Sequence, residues 1–160
     1  MDQESNEGTR RRFFASAGAA AGIAAVLGGG ETVQAQAAEL NAVNPTPEQL
    51  QAYMAMDHDG PIVMVNLLKF KPDGGEAEYR KYGEAIQPIL EKIGAKLLFS
   101  GRGLATLIGG AFWDAVALVE YPNKMALVQM AQSPEYQAIH HHREAGLEGQ
   151  INLAVARTGP

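Results

Sequence analysis

The chain has 160 residues, of which 46% are hydrophobic and 19% charged, a balance typical of a globular domain rather than a disordered segment. Its formal net charge of −5 argues against nucleic acid as a partner, because general nucleic-acid binding needs a net basic surface. The chain has no cysteine, which excludes disulfides, a thiol nucleophile and an iron–sulfur cluster.

Residues 1–37 are predicted to form an export signal. The run TRRRFF, Thr9–Phe14, resembles the twin-arginine signal, in which a hydroxyl residue and two arginines precede phenylalanine and an apolar residue. A weakly hydrophobic run of 16 residues, 15–30, follows. It is shorter than the about 20 residues that a membrane-spanning helix needs. Ala35-Gln36-Ala37 then has the small-x-small pattern of a cleavage site.

This signal predicts where the protein is located. We expect the twin-arginine translocation machinery to be a partner during export, cleavage to occur near Ala37, and the mature chain to be periplasmic. The alternatives are an N-terminal amphipathic helix and an uncleaved membrane anchor.

The predicted elements of the mature chain follow the order of a known α+β architecture. An N-terminal extension, residues 38–60, carries a short helix that begins with a capping box at Thr46. The main domain, residues 61–160, then has the order strand, helix, strand, strand, helix, strand, which predicts a ferredoxin-like βαββαβ fold with an antiparallel sheet. The predicted bounds are a strand at 62–70, a helix at 76–93, strands at 96–108 and 113–121, helices at 125–130 and 133–145, and a strand at 151–157.

Both faces of the predicted sheet are apolar. In the last strand Ile151, Leu153 and Val155 alternate with Ala154 and Ala156, and the first strand has two mostly apolar faces as well. Helices cover only one face of such a sheet, and a large exposed apolar face is unusual in a monomer. The sequence therefore predicts a homodimer with two-fold symmetry that packs sheet against sheet.

Several short motifs, in this order, resemble the family described as domain of unknown function 1330, over residues 61–157. Each motif alone is weak, and their order and spacing carry the resemblance. They are VMVNLLKF at 63–70, Tyr79-x-x-Tyr82, Gly109-Gly110, Trp113-Asp114, Val119-Glu120-Tyr121-Pro122, Ser133-Pro134-Glu135-Tyr136 and His142-Arg143.

The resemblance implies a fold and an assembly rather than one activity. The family belongs to the dimeric α/β-barrel superfamily, alongside antibiotic-biosynthesis monooxygenases and EthD-like proteins. Superfamily members include cofactor-free oxygenases, lyases, isomerases, haem proteins and proteins without known activity. A fold shared so widely does not select a reaction.

Two ionisable residues are predicted on the inward face of the last helix. At about 100° per residue, His140 and Arg143 share a face with Tyr136, Ile139 and Leu147, and the apolar members indicate that this face points inward. His140 titrates near neutral pH, so it is the predicted general acid or base. His142 is the second candidate for this catalytic role.

A buried arginine needs an anion close by. For Arg143 the sequence offers Asp114, Glu120 or Glu148, or the carboxylate of a substrate, which arginine binds with two parallel hydrogen bonds. The alternative to a substrate site is a structural ion pair beside a hydrogen-bonded core histidine.

Six further residues are predicted to line a substrate pocket. An asparagine on the first strand would orient a ligand, and aromatic residues would form the walls with their hydroxyls as donors. For each of them the alternative is a core residue with satisfied hydrogen bonds. They are Asn66, Tyr79, Tyr82, Trp113, Tyr121 and Tyr136.

No cofactor and no metal are predicted. His140-His141-His142 are consecutive and therefore point in different directions on a helix, whereas helical metal pairs are usually four residues apart. Glu144 lies four residues after His140, but a third ligand is not evident.

The leading functional hypothesis is an exported, cofactor-independent enzyme for a small aromatic or hydrophobic acid. Lyase, isomerase or oxygenase chemistry would suit a histidine beside an arginine that binds an anion. The alternatives are a periplasmic ligand-binding or protective module without catalysis, and a haem- or metal-dependent enzyme.

Overall fold

The computed structural model describes residues 42–158, so the predicted export signal and its cleavage site lie outside the described residues. Its sheet has the strand order β2-β3-β1-β4, and all neighbouring strands are antiparallel. The ferredoxin-like α+β prediction is confirmed. The elements are α1 (Pro47–Met54), β1 (Ile62–Phe70), α2 (Gly75–Lys92), β2 (Lys96–Arg102), β3 (Ala115–Tyr121), α3 (Lys124–Gln132), α4 (Pro134–Gly146) and β4 (Leu147–Val155).

Helices α1 and α4 begin with side-chain caps, at Thr46 and at Ser133. The Thr46 side chain accepts a hydrogen bond from the Gln49 backbone, and the Gln49 side chain accepts one from the Thr46 backbone, which completes the predicted capping box. Ser133 caps α4 through the Tyr136 backbone N–H. Among residues 42–158, none of the helices combines the length and the apolar character that crossing a membrane requires.

One face of the sheet packs against the helices. The core cluster combines strand residues Ile62, Met64, Val119 and Tyr121 with apolar residues of α2, α3 and α4. The strand register explains this face, because directly opposed residues point to the same side of a sheet. The opposed pairs on this side are Ile62–Tyr121, Met64–Val119, Asn66–Ala117 and Leu68–Ala115.

The opposite face of the sheet is apolar and contributes none of the residues of this core cluster. Here Val65 of β1 lies between Leu118 of β3 and Leu153 of β4. Towards the two edges of the sheet, Phe99 and Leu153 are 54% and 56% exposed. We call this surface the open face; its residues include Val65, Leu67, Phe99, Val116, Leu118, Ile151 and Leu153.

Four strand boundaries differ from the predicted ones: β2 ends at Arg102 rather than at 108, β3 begins at Ala115 rather than at 113, and β4 spans 147–155 rather than 151–157. The connection between β2 and β3 takes residues 103–114, and its side chains Leu104, Leu107 and Ile108 are 85%, 95% and 91% exposed. This apolar run was predicted as strand, but it has no partner strand and does not pair. β4 begins at Leu147, before the predicted residue 151, because residues 147–150 pair with the end of β1 across a register shift.

Gly146 allows α2 and α4 to approach closely. A Cβ atom on Gly146 would lie 2.7 Å from the Tyr79 backbone nitrogen and 2.8 Å from the Gly75 carbonyl oxygen. These are backbone atoms, so a side chain at Gly146 would force the two helices apart. Gly83 also lies in α2, but a Cβ atom there would meet nothing within 4 Å.

These two glycines make a matched test of the helix packing. Gly146→Ala should lower the free energy of unfolding by about 1–3 kcal/mol, the usual cost of overpacking. Gly83→Ala should raise it by up to about 1 kcal/mol, because alanine favours the helix and meets open space. Urea unfolding of both variants measures the difference, and equal stability of the two would contradict the close packing at Gly146.

Candidate functional site

A cavity in the described chain lies beside β4 and contains two of the predicted catalytic residues. Its volume is about 730 Å³, and it is bounded by α1, α3, α4, β4 and residues 42–45. Tyr136, His140 and Arg143 line it together with apolar residues such as Met64 and Leu127. We call it the arginine cavity.

Arg143 is buried at the wall of this cavity without an acidic partner in the described chain. Arg143 is only 8% exposed. Nη2 donates to the carbonyl oxygen of Val43 at 2.7 Å, and Nη1 lies 3.4 Å from His140 Nε2. Among residues 42–158, no carboxylate oxygen lies within 4.0 Å of the guanidinium. Donor capacity therefore remains for an anion, since a guanidinium carries five N–H groups.

The three predicted protein partners of Arg143 are engaged elsewhere or exposed. Asp114 accepts from Lys69 Nζ at 3.1 Å and from the backbone of Phe70. Glu120 pairs with Arg157, and Glu148 is exposed. None of these three carboxylates pairs with Arg143: Asp114 and Glu120 have other cationic partners, and Glu148 is exposed.

His140 lies between Arg143 and Glu144. Its Nδ1 is 3.7 Å from Glu144 Oε1, and its Nε2 faces the guanidinium of Arg143. Glu144 also accepts a hydrogen bond from Asn44 Nδ2 at 2.9 Å, which holds the pKa of this carboxyl below its usual range. In the neutral imidazole, a proton on Nδ1 would point towards the carboxylate and leave Nε2 as the acceptor.

The segment before α1 completes the wall of the arginine cavity. The Val43 carbonyl oxygen accepts from Gln150 Nε2 at 2.8 Å as well as from Arg143, and the Ala42 carbonyl oxygen accepts from the Gln150 backbone. Sequence analysis missed Gln150 and this segment. A backbone carbonyl can come from any residue type, so the sequence gives no signal for this contact. In the structure the signal is Gln150 itself, a buried polar side chain that needs a hydrogen-bond partner.

The second cavity lies under the other half of the sheet, between α2 and strands β1, β2 and β3. Its volume is about 410 Å³, and we call it the tyrosine cavity. It contains four of the six predicted pocket residues: Asn66, Tyr79, Tyr82 and Tyr121. Both amide hydrogens of Asn66 are used within the sheet, on the carbonyl oxygens of Met64 at 3.0 Å and Ala117 at 3.1 Å.

A row of aromatic rings joins the two cavities. Tyr79 and Tyr82 have ring centroids 5.4 Å apart, Tyr82 meets Tyr136 edge-on at 6.3 Å, and Tyr136 lies 5.4 Å from the His140 ring. Burial raises the pKa of Tyr79 to about 12 and that of Tyr82 well above 10. These phenols therefore remain protonated at neutral pH and act as hydrogen-bond donors.

Two predicted site residues line neither cavity. His142 Nδ1 lies 3.0 Å from Glu78 Oε2 of α2, where it forms a contact between the two long helices. Trp113 lies in the connection before β3, beside Gly103. The structure thus groups Tyr136, His140 and Arg143 in one cavity and Asn66, Tyr79, Tyr82 and Tyr121 in the other.

The consecutive histidines do not form a metal-binding group with other side chains of the described chain. Within residues 42–158 there is no cluster of three His, Cys, Asp or Glu side chains that would hold an ion.

The fold and its cavities define the class of this protein: a ferredoxin-like α+β domain with pockets of small-molecule size. A dimeric ferredoxin-like protein of unknown function from Jannaschia sp. CCS1 has the same fold, with a TM-score of 0.51 and 13% identity over 61% of this chain and 100% of that chain. At this identity the likeness shows the fold alone.

The family follows from two further comparisons. The family model of DUF1330, a domain of unknown function, matches residues 74–156. The crystal structure of the RPA0582 protein of unknown function from Rhodopseudomonas palustris is 32% identical over 75% of this chain and 99% of that chain, with a TM-score of 0.69. Its methylated form gives the same identity and TM-score. The chain belongs to the DUF1330 family, and no functionally curated protein matches it.

Proposed function

We propose that this protein is a cofactor-independent enzyme that binds a small aromatic or hydrophobic carboxylic acid in the arginine cavity and transfers a proton through His140. One observation carries the proposal: the buried guanidinium of Arg143 has no carboxylate partner among residues 42–158 and faces a mostly apolar cavity.

The binding half of the proposal follows from the energetics of a buried charge. An uncompensated buried ion costs several kcal/mol, which a ligand carboxylate on Arg143 would offset. The apolar body of the acid would then contact residues such as Met64, Leu127 and Ala131. The volume of about 730 Å³ lies within the about 300–1,000 Å³ that is usual for small-molecule pockets.

The catalytic half depends on where His140 lies. A carboxylate bound to Arg143 would bring the neighbouring carbon atoms of the ligand close to the imidazole, which is 3.4 Å from the guanidinium. Isomerase and lyase reactions that begin with proton transfer need only such a base and an anion-binding group. An oxygenase reaction would in addition need a substrate that itself reduces dioxygen.

A second candidate is a ligand-binding module without turnover. The observation that favours it is the contact between Arg143 Nη1 and His140 Nε2, because a lone pair that faces a guanidinium N–H is not available to take a proton from a ligand. Substrate binding must turn the guanidinium towards the carboxylate for His140 to act. If it does not, the cavity binds its ligand without catalysis.

Phenylpyruvate tests both halves, because it is an aromatic acid with exchangeable hydrogens next to its keto group. Arg143→Gln should weaken phenylpyruvate binding about 10–100-fold, through loss of a charged hydrogen-bond donor. His140→Gln should slow hydrogen–deuterium exchange of bound phenylpyruvate at least about 100-fold and change its affinity less than about threefold. Calorimetry measures the affinity, and NMR in deuterium oxide measures the exchange.

The matched control is His141→Gln, an exposed neighbour on the same helix, which should leave both values unchanged. Binding without exchange in the unmodified protein would support the second candidate. Full affinity in Arg143→Gln, with circular dichroism like that of the unmodified protein, would contradict the anion site itself.

We further propose that the protein is a homodimer that packs through the open face. The open face is apolar, and none of its residues belongs to the core cluster that the sheet forms with the described helices. The Jannaschia protein of the same fold is described as dimeric. Burying this surface against a second copy removes it from water on both protomers.

Leu153→Asp tests the dimer, because two-fold symmetry places the new charge in the interface twice. The dissociation constant should rise at least about 100-fold, since each buried carboxylate would lack a partner. Met125→Asp is the control, because Met125 has a similar apolar side chain on α3, in the helix layer. Sedimentation velocity over a range of concentrations should show a monomer for Leu153→Asp alone; an unmodified protein that sediments as a monomer would contradict the proposal.

We also propose that residues 1–37 direct export to the periplasm and are removed near Ala37, which leaves the extension 38–60 attached to the domain 61–160. The sequence pattern supports this, with two arginines, a weakly apolar run and a cleavage motif in the order of an export signal.

Replacing Arg10 and Arg11 by lysine should retain the protein in the cytoplasm of a bacterium with a twin-arginine pathway. The charge stays the same, so only recognition of the arginine pair is removed. Mass spectrometry of the periplasmic fraction should find the unmodified protein starting at Ala38. Export of the double-lysine variant at the same level would contradict the twin-arginine route.

A further inference from the structure

The tyrosine cavity exists because one row of the sheet carries small side chains. On the helix-facing side, Asn66 of β1 lies opposite Ala117 of β3, and Ala117 lies opposite Ser100 of β2. The next row in one direction carries the larger residues Met64 and Val119. Side-chain size, rather than a break in the backbone, therefore creates the space of about 410 Å³.

The helix above this row leaves the space open as well. Tyr79, Tyr82 and Gly83 of α2 line the cavity, and a Cβ atom on Gly83 would meet nothing within 4 Å. The two tyrosine rings form a wall to which a flat aromatic molecule can pack edge-on or offset. The sheet on one side and α2 on the other thus both leave a flat space between them.

The polar groups of the cavity include oxygen atoms with free hydrogen-bonding capacity. No hydrogen bond joins the hydroxyls of Tyr79, Tyr82 or Tyr121 to another residue in 42–158. In the same part of the chain, every side-chain nitrogen or oxygen that is fully buried has a hydrogen-bond partner. Because these hydroxyls have none, they are not fully buried and reach accessible space. Because Asn66 donates both amide hydrogens to the sheet, its carbonyl oxygen is the group left to accept.

The cavity has no charge in its interior. The charged residues that line it are Glu76, Arg80 and Glu84, which are exposed on α2 and carry both signs. Burial raises the pKa of Tyr79 to about 12 and also raises the pKa values of Tyr82 and Tyr121, so the phenols stay neutral donors. An anionic ligand would lose its hydration here without meeting a buried cation, because the one cation of the lining, Arg80, is exposed and lies between Glu76 and Glu84 on the surface of α2.

From this geometry we propose that the tyrosine cavity is a second binding site, for an uncharged flat aromatic molecule with a hydroxyl or carbonyl oxygen. Tyrosine hydroxyls donate to the ligand oxygen, and Asn66 accepts from a ligand hydroxyl. The site differs from the arginine cavity in charge, so it does not rest on the function proposed for His140 and Arg143.

Two probes with the same ring system separate the sites: 2-naphthol, which is uncharged at neutral pH, and 2-naphthoate, which is an anion. Ala117→Leu fills the tyrosine cavity from the sheet, and Gly83→Leu fills it from the helix. Each should weaken 2-naphthol binding at least about 10-fold and leave 2-naphthoate binding within about twofold. Arg143→Gln should do the reverse. Calorimetry measures the affinity of both probes for the unmodified protein and for each of the three variants.

Ala138→Leu is the matched control, because Ala138 is exposed on α4 and lines neither cavity. It should leave both affinities unchanged. Two filling variants from opposite walls guard against a folding defect in one of them. The proposal is overturned if the unmodified protein does not bind 2-naphthol, or if Arg143→Gln abolishes that binding while the filling variants retain it.

Discussion

The described structure depends on how one buried cation is held. The guanidinium of Arg143 bonds a backbone carbonyl 100 residues earlier in the chain, and no acidic side chain of the described residues neutralises it. This contact fixes the segment before α1 against β4, where Gln150 bonds the same carbonyl oxygen. A neutral dipole only partly offsets a buried charge, so the site retains an attraction for anions that a satisfied ion pair would have lost.

The same sheet face supports two cavities with different chemistry. Beside β4 the wall carries a cation and an imidazole, whereas under β2 and β3 it carries neutral hydroxyls and one amide carbonyl. The edge-on contact between Tyr82 and Tyr136 lies between them. Tyr82 lines the tyrosine cavity and Tyr136 lines the arginine cavity. A ligand in either cavity would therefore contact a ring that packs against a ring of the other cavity, although the two cavities have different polar groups.

Sequence reasoning predicted the fold well because the fold follows local rules. The capping box at Thr46, the alternation in β1 and the helical stripe of α2 each need only neighbouring residues. It also predicted that Arg143 points inward. It did not find the Val43 contact, because a bond to a backbone oxygen leaves no periodic pattern in the sequence. It also placed Asn66 and the tyrosines in one pocket with His140, because contacts between residues distant in sequence leave no such pattern either. The bounds of β2 failed for a related reason, since an apolar run becomes a strand only where a partner strand is present.

The two faces of the sheet have separate roles, and this separation makes a homodimer compatible with two ligand sites. Strand residues alternate between faces, so Val65 and Leu118 point away from the cavities that their neighbours Met64, Asn66 and Ala117 line. A second copy on the open face would stabilise the sheet from behind without entering the tyrosine cavity, and of the named open-face residues Ile151 alone also lines the arginine cavity. A shift of one strand by one residue in register, however, would move all its side chains to the opposite face of the sheet. Burial of the open face would therefore oppose such a shift and hold the row of Asn66, Ala117 and Ser100 under the tyrosines.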